Sequence, residues 1–149
     1  MGENEKLYLT HPLFPNSFDF PFEITSPETA QYNCVAWALG DSEHWWEADE
    51  DYLWLDDIEF STSLFAVQSL FEKFNFEISD NAIFENDYEK VALFSDDNWT
   101  CTHVARQLDN EFWTSKLGVS YDISHTLDAL ENGIYGTVVL ILKRKTAVF

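Results

Sequence analysis

Two side chains in this sequence have the chemistry of a thiol nucleophile and its base, Cys34 and His103. Cys34 opens the apolar run Cys34–Leu39, which stops at Gly40, so the thiol is expected in the first turn of a short buried helix. A thiol there feels the positive end of the helix dipole, which favours the nucleophilic thiolate. His103 follows in a strand-like segment, Thr102–Leu108. In a thiol hydrolase such an imidazole takes the thiol proton and later gives it to the leaving group. The competing reading is structural: free cysteine is among the most buried residue types, and a strand histidine often sits satisfied in a core.

A third polar group usually orients the imidazole, and two residues compete for that role. If the chain turns at Asn110, Ala105 faces Ser115, and Ser115 then shares a face with His103, one diagonal step away. Asp122 is the charged alternative, in competition with a helix-capping role. Cys101, two residues before His103, is expected on the same side of its strand. A Cys34–Cys101–His103 metal site lacks paired ligand spacing and a fourth ligand, so no metal and no cofactor are expected. His11 and His44 have no evident partner, and His125 falls in the first turn of an expected helix, where a cation is disfavoured.

These residues need elements to hold them. Leu64, Val67, Leu70, Phe71 and Phe74 recur at helical steps, giving a helix over about 62–74 with Ser61, Thr62 and Ser63 as caps. Phe74, Phe76 and Ile78 alternate as in a short strand. Strands are expected over 90–95, 100–108 and 112–118, the last two joined as a hairpin through Asp109-Asn110-Glu111. A helix over about 123–132 and a final strand over 135–142 complete the order, which reads as α+β. The chain is expected to form one domain over 1–149, with residues 1–30, holding all four prolines, as an extended arm anchored by Phe14, Phe18, Phe20 and Phe22.

Composition bounds the function. Eight Lys and Arg against 27 Asp and Glu leave a net charge of −19, which argues against general nucleic-acid or anionic-membrane binding. With 46% hydrophobic and 17% aromatic residues, the chain is a compact domain and not a solvating acidic coil. Nine acids and no Lys or Arg fall within 41–59, interleaved with Trp45, Trp46, Tyr52 and Trp54. This reads as an aromatic-anchored acidic loop, in which Trp45 and Trp46 either pack the loop onto the core or form a binding lip for a cationic or sugar-bearing substrate. The polar N-terminus resembles no signal peptide, and no apolar run approaches the roughly 18 residues of a membrane span, so a cytoplasmic, reducing location with free thiols is expected.

The string Tyr32-Asn33-Cys34-Val35-Ala36-Trp37-Ala38-Leu39-Gly40, Trp45-Trp46, Thr102–Leu108 and Trp113–Gly118 with Asp122-Ile123 resembles an uncharacterised bacterial domain family over about residues 25–145. At greater distance, a Cys-bearing helix followed by a His-bearing strand is similar to papain-like and NlpC-like cysteine peptidases and amidases. That resemblance implies a papain-like core over 31–149, an N-terminal Cys-bearing helix packed on an antiparallel sheet. It implies Cys34 as nucleophile, His103 as base and Ser115 as third residue, although Ser115 is a weaker orienter than the residues usual there. Asn33 beside the nucleophile either donates to an oxyanion or caps the helix.

Two functional readings result. The first is a papain-like cysteine hydrolase cleaving an amide or isopeptide bond, with a basic protein or peptide as substrate. The second is a non-catalytic acidic module, of the immunity or nucleic-acid-mimicking kind, that presents carboxylates to a basic partner.

Overall fold

The computed structural model describes residues 14–15, 23–26, 29, 31–109, 112–117 and 122–146. Seven strands form one sheet: β1 (Glu23–Ser26), β2 (Glu77–Ile78), β3 (Tyr88–Ser95), β4 (Cys101–Gln107), β5 (Trp113–Lys116), β6 (Asp122–His125) and β7 (Thr137–Lys145). Their spatial order is β1-β6-β5-β4-β3-β7-β2, and every pairing is antiparallel. Three short helices accompany it: α1 (Cys34–Leu39), α2 (Leu64–Lys73) and α3 (Leu127–Leu130).

The expected papain-like α+β architecture is corrected here. The described residues form a mostly antiparallel sheet with a few short helices. The largest local difference is at 122–125, where the sequence spacing of Ile123, Leu127 and Leu130 suggested a helix. Instead Asp122–His125 is a strand held on both edges, by β5 on one side and β1 on the other. Ladder bonds on two sides outweigh the weak local preference of four residues, and only Leu127–Leu130 remains helical. The arm is likewise partly sheet, since Glu23–Ser26 supplies β1, and Phe14 is buried as expected. Phe18, Phe20, Phe22 and His11 lie outside the described residues.

Alternation along the strands divides the core between the two faces. On one face Val91, Leu93, Val104 and Leu142 pack with Val35 and Ala38 of α1 and with Val67, Leu70 and Phe71 of α2. On the other, Ala92, Phe94, Ala105, Trp113 and Ile123 pack with Phe14 and Leu130. The hairpin register is the one the turn predicts, with Arg106 opposite Thr114 and Gln107 opposite Trp113. No described helix is long and apolar enough to cross a membrane.

Candidate functional site

Helix α1 is built to place its first residue. Asn33 is its N-cap, its Oδ1 accepting from the Ala36 N–H at 3.1 Å. The same side chain ties down the following loop: Oδ1 accepts from the Trp46 N–H at 3.2 Å, and Nδ2 donates to the Trp46 carbonyl at 2.6 Å. Of the two expected roles the geometry shows the capping one, with the same side chain holding Trp46 against the helix. At the other end Gly40 ends the helix in the left-handed region, φ 88°, its N–H returning to the Ala36 and Trp37 carbonyls. On β5, Thr114 Oγ1 accepts from Trp37 Nε1 at 3.0 Å, and the Arg106 guanidinium of β4 lies 4.9 Å over the Trp37 ring.

Cys34 lines a pocket of about 120 Å³ together with Trp46, Glu47, Trp54, Cys101 and His103. Burial pushes its thiol pKa up, against the opposing pull of backbone N–H groups at Val104 and Val35 and of the Lys116 ammonium. The dipole of a six-residue helix does not offset that desolvation, so the resting group is a thiol and not the expected thiolate. Cys101 is also pushed up, to about 12, chiefly by burial.

His103 does not meet that thiol. A β-bulge at Thr102 separates the pairs Phe94–His103 and Ser95–Cys101. It turns Cys101 onto the α1 face beside Cys34, while the His103 ring lies on the opposite face. There it stacks on Tyr135, with ring centres 4.2 Å apart and planes within 3°, and sits edge-on to Phe94 at 5.4 Å. Among the described residues neither ring nitrogen has a hydrogen-bond partner, and burial holds the imidazole neutral, with a pKa well below its ordinary value. No hydrogen bond joins Cys34 to His103 among the described residues, and the same bulge overturns the expectation that Cys101 and His103 share a side.

Ser115 lies on the face that the register predicts but serves another histidine. Its Oγ is 2.6 Å from Nε2 of His125, the residue that the expected helix had hidden. Asp122, the alternative orienter, is fully buried and accepts from the Tyr32 hydroxyl at 2.5 Å. Its other oxygen is buried without a partner. Beside it Lys116 donates to the Thr29 carbonyl at 2.7 Å and lies 5.3 Å from the Tyr32 ring centre. Sequence reading missed Lys116 as the cation nearest in effect to the thiol. Its alternation with Thr114 on the α1 face was the available signal.

Of the two readings of the tryptophans, Trp46 follows the one that packs the loop onto the core. Trp46 packs on the α1–α2 core edge-on to Phe74, and its Nε1 donates to Asp41 at 3.0 Å. Trp45 packs against Tyr52 at 5.6 Å. The loop pairs with itself, Leu53 N–H donating to the Trp45 carbonyl and Glu47 N–H to the Leu53 carbonyl. Among the described residues no group of three or more His, Cys, Asp or Glu is placed to hold a metal ion.

Residues 23–143, most of the sheet and all three helices, match the family described as a domain of unknown function, DUF7689. The chain belongs to the DUF7689 family. No curated protein and no solved structure matches it, so the resemblance to papain-like enzymes gains no support. In this DUF7689 domain the matched segment contains both thiols, both buried histidines and the whole acidic loop.

Proposed function

We propose that this DUF7689 domain is a protein-binding module that offers its carboxylates to a basic partner. The observation that carries the reading is how unequally the two signs of charge are exposed. Seven acids of the 41–59 loop are exposed: Glu43, Asp49, Glu50, Asp51, Asp56, Asp57 and Glu59. The cations do little to offset them. Lys90 and Lys116 are buried, Arg106 is stacked on Trp37, Lys143 lies over the Tyr88 ring, and Lys73 and Arg144 are paired with Asp57 and Glu89, which leaves Lys145 as an exposed cation at the end of β7. A field of one sign steers an oppositely charged partner and repels anionic ones.

The experiment is affinity capture from the native host at 50 and 500 mM salt, followed by reconstitution with the purified partner. The expected result is a stoichiometric complex with a basic protein that weakens steeply with salt and is lost in the Asp49→Asn, Glu50→Gln, Asp56→Asn triple variant. Recovery of no basic protein at low salt would count decisively against the reading.

A second reading, a thiol hydrolase with Cys34 and His103, keeps one observation in its favour: both residues line one pocket. It requires the His103 ring to leave Tyr135 and turn to the thiol. Labelling by a peptide carrying an electrophile, dependent on both Cys34 and His103, tests it. Labelling that survives His103→Phe removes His103 from the chemistry.

A further inference from the structure

Beside the acidic loop several large apolar side chains are exposed among the described residues. Phe60, Phe65 and Trp99 are 60%, 64% and 56% exposed, and Tyr52 and Leu53 are also exposed. Scattered single apolar residues need no explanation, but these converge. Tyr52, Trp54 and Phe60 line a cleft of about 290 Å³ together with Asp49, Glu50 and Asp56. The Trp54 Nε1 donates to the Glu59 carbonyl at 3.0 Å, which fixes one wall. Two residues beyond Phe60, the backbone pairs with the β3–β4 turn: Cys101 N–H donates to the Thr62 carbonyl and Leu64 N–H to the Trp99 carbonyl. Trp99 is thereby brought alongside the start of α2, where Phe65 stands.

Trp99 is also held in an uncommon backbone state, φ 61°, which costs a side chain of this size about 1–2 kcal/mol. The Asp96 carboxylate fixes that turn by accepting from the Asn98 and Thr100 N–H groups at 2.9 and 3.1 Å. A strained turn thus presents an exposed tryptophan beside the start of α2, four residues along the chain from the cleft residue Phe60.

Resting on the binding-module reading, we infer that the cleft of Tyr52, Trp54 and Phe60, extended by Phe65 and Trp99, is where the partner docks, and that it takes a segment in which Lys or Arg alternates with large apolar side chains. Charge complementarity selects this occupant. Asp49, Glu50 and Asp56 in the cleft, with Asp96 and Asp97 beside Trp99, face an incoming cation, while the aromatic faces accept its aliphatic stem and its apolar neighbours. A second copy of this chain brings another −19 and is repelled, as are nucleic acids and anionic membranes.

The test uses three synthetic 14-residue peptides, mixed Lys/Leu, Lys/Ser and Glu/Leu, titrated calorimetrically into the full chain at 50 mM salt. The expected order is Lys/Leu at least tenfold tighter than Lys/Ser, with no binding of Glu/Leu. The variant Phe60→Ser, Trp99→Asn, which keeps a residue tolerant of positive φ at 99, should remove that tenfold preference, weakening Lys/Leu far more than Lys/Ser. Circular dichroism checks that the variant is folded. Lys/Leu affinity equal in variant and wild type overturns the docking surface while the binding-module reading stands. No basic peptide bound by the wild type overturns both. Concentration-dependent dimerisation abolished by the variant assigns the surface to a second copy instead.

Discussion

Ser115 Oγ lies 2.6 Å from Nε2 of His125, and Nδ1 of the same ring lies 2.7 Å from the Thr126 carbonyl. Because a carbonyl only accepts, Nδ1 carries the proton, and Nε2 accepts from the Ser115 hydroxyl. Both side chains are fully buried, so this pair ties β5 to β6 and is structural. Ser115→Ala leaves Nε2 without a donor and should destabilise the fold by about 1–3 kcal/mol, read from urea unfolding. The alkylation rate of Cys34 should not change in that variant.

Two buried neutral imidazoles set an acid limit on stability. Burial pushes the His125 pKa down to about 4, against an unfolded value near 6.5, and that of His103 moves the same way. Between those values the unfolded chain takes up a proton that the folded one refuses. Their contribution is complete above about pH 6.5 and falls as the pH drops toward 4, by about 3 kcal/mol for His125 alone. Urea midpoints measured from pH 7.5 to 4.5 should fall along that course. His103→Phe, which keeps the stack on Tyr135, should flatten the slope. An unchanged slope would mean that His103 is not the buried neutral group described.

The thiols should be slow. With burial pushing Cys34 up and Cys101 up to about 12, iodoacetamide at pH 7.5 should modify neither quickly in the folded protein. The Cys34 rate should climb as the pH rises above 9, and Lys116→Met, which removes a cation favouring the thiolate, should move that rise to higher pH. Rapid modification of Cys34 below pH 8 would contradict this environment.

Asn33 joins a helix cap to a loop anchor, so its removal should be felt in both places. Asn33→Ala loses the cap and both bonds to Trp46, an expected cost of about 2 kcal/mol or more. Released from its ties, Trp46 should shift the fluorescence to the red. Asn33→Asp keeps the oxygen that accepts from the Ala36 and Trp46 N–H groups and should lose only the bond to the Trp46 carbonyl.

Two glycines with positive φ should respond differently to alanine. At Gly40 nothing lies near an added Cβ, so the cost is the left-handed backbone alone, about 1 kcal/mol. At Gly136 the added Cβ would stand 2.2 Å from the Ser95 carbonyl oxygen, so backbone must move as well. Thermal unfolding should show Gly136→Ala as clearly the more destabilised. It should also disturb the neighbouring Tyr135, whose ring stacks on His103.

Much of the local structure was legible because it depends on near neighbours. Asn33, the apolar run and Gly40 specify α1 to its ends, and Ser63 with the Leu64–Phe71 spacing specifies α2. Asp109 holds the entry to the hairpin turn by accepting from the Phe112 N–H at 2.8 Å, which is consistent with the register read from position 110. Asn110 and Glu111 themselves lie outside the described residues. Strand β6 was not legible, since its four residues are strand because β5 and, from the far end of the chain, β1 pair with them on both edges.

The candidate site failed to form as a triad for a similar reason. Strand alternation gives the facing of a side chain only while the ladder is regular. One extra residue at Thr102 sends Cys101 toward Cys34 and leaves His103 stacked on Tyr135, and no local signal marks that bulge.

By itself the sequence determined the charge, the aromatic-rich acidic loop, the position of Cys34 at a helix start and the pairing of β4 with β5. These follow from composition and from contacts between residues close in the chain. Only the tertiary structure decided that burial keeps the thiol protonated, that Ser115 serves His125, and that Lys90 and Lys116 are buried while seven acids of 41–59 face solvent. Desolvation, cross-sheet partners and exposure are set by what folds against a residue, and here those partners come from distant parts of the chain.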